Sequence, residues 1–189
     1  MKLYDYLDSG NGYKVRLTLA HLGLACEWTE CDILHGATRT PEFLARNPNG
    51  RIPLLELDDG TCLAESNAII WYLAEGSPLV PYERLARAQV LQWMFFAQYG
   101  HEPYVATPRY IVRHLPVASP RRAELPERLE RGRAAFTVME RHLTTRRFFV
   151  GERYTIADIS LYAYSHVAHE GGHDLAPFPH VRAWLDRVA

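Results

Sequence analysis

Hydrophobic and polar positions change rhythm near residue 77, and the change separates mixed elements from helices. Lys2 to Tyr6 alternates weakly, as a half-buried strand does, and from about Gly12 the apolar positions Val15, Leu17, Leu19, Ala20 and Leu22 recur at helical spacing until Gly23 stops them. Ala25 to Asp32 reads as a second strand. Thr40 caps a short helix with Pro41 at its first position, and Pro53–Leu57 and Thr61–Ala64 form a hairpin across Asp58-Asp59-Gly60. A helix then opens at Glu65-Ser66 with Ala68, Ile69, Trp71, Tyr72 and Leu73 in its apolar pattern, so this half reads βαβαββα.

Beyond Gly76-Ser77-Pro78-Leu79-Val80-Pro81 no strand pattern survives. Helical patterns run from about Tyr82 to His114 and from about Ser119 to Leu143, and a third helix starts at Thr155. There Thr155-Ile156-Ala157-Asp158 is a capping box with Asp in place of Glu, and Tyr154 with Ile159 is placed for a hydrophobic staple. Pro177 and Pro179 precede a last short helix, Val181 to Val188. The expected organisation is an α/β domain over residues 1–76, a linker over 77–81 and an all-helical domain over 82–189.

Composition narrows the function. With 189 residues, 48% hydrophobic, 23% charged and a net charge of −1, the chain has no electrostatic footprint for nucleic acid or an anionic membrane. Its apolar runs are too short to span a bilayer and its first residues lack a signal-peptide core, so the cytoplasm is the expected location. Three cysteines, Cys26, Cys31 and Cys62, without Cys-x-x-Cys spacing, indicate neither a disulfide framework nor a metal site.

The densest chemistry lies in Asn47-Pro48-Asn49-Gly50-Arg51-Ile52-Pro53 and the nearby Glu65-Ser66. Pro53, just before a strand, is a candidate cis proline that would turn the backbone of Ile52 toward a ligand; an ordinary trans turn proline is the alternative. A helix beginning at Ser66 offers amide groups and a favourable dipole to a carboxylate, while Glu65 suits an ammonium. Together they fit an amino-acid head group, although Ser66 could equally be only a helix cap.

In the order and spacing of these motifs, including the Thr155 to Asp158 cap, the chain resembles the cytosolic glutathione transferases over nearly its whole length. The resemblance implies a thioredoxin-like N-terminal domain, an all-helical C-terminal domain, a homodimer, and glutathione as co-substrate with a small electrophile as the second substrate. It also makes Ile52 the residue whose backbone pairs with the cysteinyl part of glutathione, with cis-Pro53 behind it, and gives Glu65 and Ser66 the γ-glutamyl amine and carboxylate. His35 and Arg51 become candidates for the glycine carboxylate, and Tyr104 and Arg109 for the wall of an electrophile pocket.

The family places the residue that activates the glutathione thiol at the entry to the first helix, here Asp8-Ser9-Gly10-Asn11-Gly12. Ser9 and Asn11 are the candidates, because hydroxyl and amide donors at a helix N-terminus favour a thiolate; both residue types also simply cap helices, and Tyr4 and Tyr6 are rival activators. No cysteine occupies this turn. Thiolate attack on a small electrophile is the leading expectation. Glutathione-dependent disulfide reduction, isomerisation or dehalogenation, and a non-catalytic partner-binding scaffold are the alternatives.

Overall fold

Alternation in the first strand, β1 (Lys2–Asp5), buries Leu3 and Asp5 and leaves Lys2 and Tyr4 half-buried. In this computed structural model, which describes residues Met1–Ala189, β1 pairs in parallel with β2 (Glu27–Glu30) and antiparallel with β3 (Leu54–Glu56), which pairs antiparallel with β4 (Cys62–Ala64). The sheet order is β2-β1-β3-β4. Helix α1 (Gly10–Leu22) connects the two parallel strands, α2 (Pro41–Arg46) follows β2, and α3 (Ser66–Ala74) follows β4 and packs on α1.

This register decides where the site can be. Asp5 faces Glu30, Tyr4 faces Leu54 and Leu54 faces Ala64. The exits of β1, β2 and β4 and the entry to β3 therefore share one end of the sheet. That end collects the Asp8–Asn11 turn, the loop holding His35, the Ile52-Pro53 bond and Glu65-Ser66.

The chain falls into two compact units, Met1–Val80 and Pro81–Ala189. The second comprises α4 (Arg84–Phe96), α5 (Glu102–His114), α6 (Leu125–Leu143), α7 (Ile156–Ser165) and α8 (Pro179–Val188). Helix α4 packs on α7, α5 on α6, and α6 on α8. An aromatic chain runs through the core, with the Phe149 ring 4.6 Å from Trp93 and 5.0 Å from Trp184. No helix is long and apolar enough to cross a membrane.

Several boundaries depart from the sequence reading. The first helix starts at Gly10 rather than Gly12, because Ser9 caps it. The second strand is shorter than Ala25–Asp32 and is mostly solvent-exposed. The expected helix from Tyr82 to His114 is divided by a wide π-turn at Ala97–His101, and the one from Ser119 opens as a 3-10 turn, Pro120–Glu124. The last helix begins at Pro179, whose missing N–H costs nothing in a first turn.

Candidate functional site

Ser9 occupies the N-cap of α1 in extended backbone, φ −77° and ψ 122°, and its Oγ accepts the N–H of Gly12 at 3.2 Å. A hydroxyl that accepts through a lone pair still has a proton to donate, so capping and service to a bound anion are compatible. The first backbone bond of α1 runs from Tyr13 N–H to the Ser9 carbonyl at 2.9 Å. The N–H groups of Gly10 and Asn11 precede it.

Asn11 and Ser66 are joined directly: the Ser66 hydroxyl donates to Asn11 Oδ1 at 3.0 Å. This bond ties the first turn of α1 to the first turn of α3, 55 residues on, and leaves the Asn11 NH2 group as the donating side of that amide. Ser66 is not a helix cap. It is the first residue of α3, 4% exposed, and the cap position belongs to Glu65, whose side chain caps nothing. Because the Ser66 proton is committed to Asn11, a carboxylate here would be held by the amides that precede the first α3 bond, from Ile69 N–H to the Glu65 carbonyl at 2.9 Å.

Glu65 is the one non-glycine residue at positive φ, 69°, with ψ 113°. Strained backbone of this kind costs about 1–3 kcal/mol and concentrates at ligand clamps. Its exposed carboxylate stands at the sheet end described above.

The Ile52-Pro53 bond is cis, and the β3 ladder starts only at Leu54, so the backbone of Ile52 lies outside it. The approach is held by buried Asn47, whose Nδ2 donates to the Arg51 carbonyl at 2.8 Å and whose Oδ1 accepts from Asn49 N–H at 3.2 Å. Gly50 closes the turn at φ 60°, and its N–H donates to the Asn47 carbonyl at 2.8 Å. A side chain at Gly50 would strike the guanidinium of Arg39. Arg51 is exposed, and Arg39, which the sequence does not single out, is brought to this turn by the fold, its Nη1 donating to the Asn49 carbonyl at 3.4 Å.

His35 ends a single 3-10 turn capped by Asp32, and its exposed ring meets Asp32 Oδ2 at 2.7 Å through Nδ1. That contact holds the Asp32 carboxyl below its ordinary value. Tyr4 donates its hydroxyl to Glu56 at 2.8 Å, and burial, followed by that bond, pushes its pKa up. Its proton is thus engaged away from the α1 entry. All three cysteine thiols are likewise pushed up by burial, so none is a ready thiolate.

Tyr104 and Arg109 both lie on α5 in the helical unit. The Tyr104 hydroxyl accepts from Arg131 at 2.9 Å, and Arg109, 8% exposed, donates from Nε to Glu170 at 2.6 Å. Glu170 also pairs with Arg113 at 3.1 Å. Both polar ends are thus engaged within the helical unit, although the Tyr104 hydroxyl, which only accepts, keeps its proton to donate.

Residues 1–75 match the family model of the glutathione S-transferase N-terminal domain, and residues 122–187 match that of the C-terminal domain. The crystal structure of a glutathione S-transferase from Pseudomonas fluorescens Pf-5 superposes with a TM-score of 0.94 at 54% identity, covering 98% of this chain and 92% of that one. A glutathione transferase from Phanerochaete chrysosporium, solved with oxidized glutathione, is 27% identical with a TM-score of 0.88 over 99% and 88% of the two chains. Among curated proteins, maleylacetoacetate isomerase of Rhizobium meliloti is 36% identical over 94% of this chain and 85% of its own. The chain belongs to the glutathione S-transferase family. It spans only 64% of protein URE2 of Eremothecium gossypii and 40% of elongation factor 1-gamma of Artemia salina, each 32% identical to it.

Proposed function

We propose that the chain binds glutathione at the end of the sheet where β1 opens into α1, and adds its thiolate to a small electrophile. The observation that carries this reading is the hydrogen bond between Ser66 and Asn11, which sets the first turns of α1 and α3 side by side at the end where Ile52 leaves the ladder. In this arrangement the Ile52 backbone pairs with the cysteinyl residue, Glu65 takes the γ-glutamyl ammonium, and the first amides of α3 take its carboxylate. Ser9 donates to the sulfur from the α1 cap, and the Asn11 NH2 group is the second donor. Arg51, with His35, serves the glycine carboxylate. The nucleophile belongs to the ligand, since burial keeps the protein's own thiols protonated.

Calorimetric titration with glutathione is expected to show saturable binding below millimolar ligand, and a chloronitrobenzene to be conjugated at a rate proportional to enzyme. Absence of heat at millimolar glutathione would favour a partner-binding scaffold. Reduction of mixed glutathione disulfides is a second reading, favoured by the oxidized glutathione named with the Phanerochaete relative. Faster turnover of a small mixed disulfide than of the chloronitrobenzene would select it.

The helical unit also has a face suited to a second copy of the chain. Leu91, Phe95 and Tyr99 recur every four residues along α4 and the turn after it, and are 37%, 69% and 87% exposed. Light scattering is expected to give about twice the 21.7 kDa chain mass. Phe95→Glu should shift the protein toward the monomer.

A further inference from the structure

The guanidinium of Arg16 gathers the parts of the turn that delivers Ser9. Its Nη1 donates to Oδ2 of Asp5, the last residue of β1, and its Nη2 donates to the Leu7 carbonyl at 2.8 Å. Its Cζ lies over the Tyr13 ring, 5.9 Å from the ring centroid. Asp5 is wholly buried, and its second oxygen, Oδ1, has no hydrogen-bond partner. That carboxylate presses against Gly12, where any side chain would overlap it. Gly12 is also the residue whose N–H is capped by Ser9.

A buried carboxylate therefore lies beneath the same helix end on which the thiolate would rest. Two anions at one N-terminus raise each other's energy, and a cation fixed between the carboxylate and the turn cancels that effect. We propose that the Asp5–Arg16 pair sets how readily bound glutathione ionises, with Arg16 acting as a positioning residue that neutralises Asp5 and holds the turn carrying Ser9. This rests on the glutathione reading above. Glu30 at the end of β2 attracts Arg16, and Lys14, on the same helix as Arg16, is fully buried. Both are unchanged in the variants below.

The test is a pH titration of the thiolate absorbance of enzyme-bound glutathione, with a thermal melt to establish that each variant is folded. Arg16→Met is expected to move the midpoint upward by about one pH unit, a roughly tenfold loss of thiolate on the acid side. Asp5→Asn, which removes the opposing charge, is expected to move it downward. Arg16→Lys restores the charge but not the fork that reaches both Asp5 and Leu7, so its midpoint should return toward the wild-type value while turnover stays reduced. A midpoint for Arg16→Met equal to or below that of the wild type overturns the proposal. Should that variant not fold, an unmoved midpoint in Asp5→Asn overturns it instead. A wild-type protein with no bound thiolate defeats the glutathione reading itself, which is a distinguishable result.

Discussion

Ser9→Ala is expected to lower the turnover of conjugation about 10- to 100-fold near neutral pH while changing glutathione affinity by less than about threefold. The size follows from one hydrogen bond to a charged acceptor, about 1.5–3 kcal/mol, made to the thiolate and not to the thiol. Affinity should survive because the Ile52 backbone, Glu65 and the first amides of α3 do not depend on the hydroxyl. The defect should shrink as pH rises past about 8.5, where an unassisted thiol ionises by itself. Ser9 also caps α1 through Gly12, so the variant loses about 1 kcal/mol of stability. Ser9→Thr keeps the oxygen and separates the two effects. Initial rates from pH 6 to 9, with calorimetry for binding, decide the matter; unchanged turnover in Ser9→Ala takes Ser9 out of the reaction.

What could be read from the sequence was local. The Ser9-Gly10-Asn11-Gly12 turn, the Pro53 step before β3 and the Thr155–Asp158 box each declare themselves within a few residues, since turns and caps are made by neighbours along the chain. Two-residue alternation and helical spacing likewise separated the mixed half from the helical half. Less legible was anything set by closure of the sheet. Asp5 and Arg16 are eleven residues apart and read as one strand residue and one helix residue; only the parallel crossover from β1 to β2 brings α1 back over Asp5. Ser66 reads as a cap because it stands before an apolar run, yet its hydroxyl turns to Asn11 on another helix. The π-turn at Ala97–His101 leaves no break in the apolar pattern, because one extra residue in a turn displaces the stripe without interrupting it. Arg109 offered a polar end on a helix, and its partner, Glu170, lies 61 residues away.

Asp158→Ala is expected to lower the stability of the helical unit by about 3–5 kcal/mol, a large part of the 5–15 kcal/mol that domains have. This carboxyl accepts from Phe149 N–H at 3.1 Å, Thr155 N–H at 2.9 Å, the Thr155 hydroxyl at 3.1 Å and Trp184 Nε1 at 3.0 Å. Removing it leaves buried donors unmatched at the start of α7 and beneath α8. Burial outweighs those four donors and pushes its pKa up to about 6. The sign follows from that direction. A carboxyl whose folded value exceeds its unfolded value near 3.8 binds its proton more tightly in the native state, so its contribution is full below pH 4 and falls as pH rises through 6. The fall amounts to about 3 kcal/mol. Asp158→Asn cannot titrate, so the wild-type unfolding free energy measured against that variant should decline between pH 4 and 6.5. A difference that stays flat, or rises, would mean that the four donors hold the carboxylate ionised throughout and that burial does not govern this site.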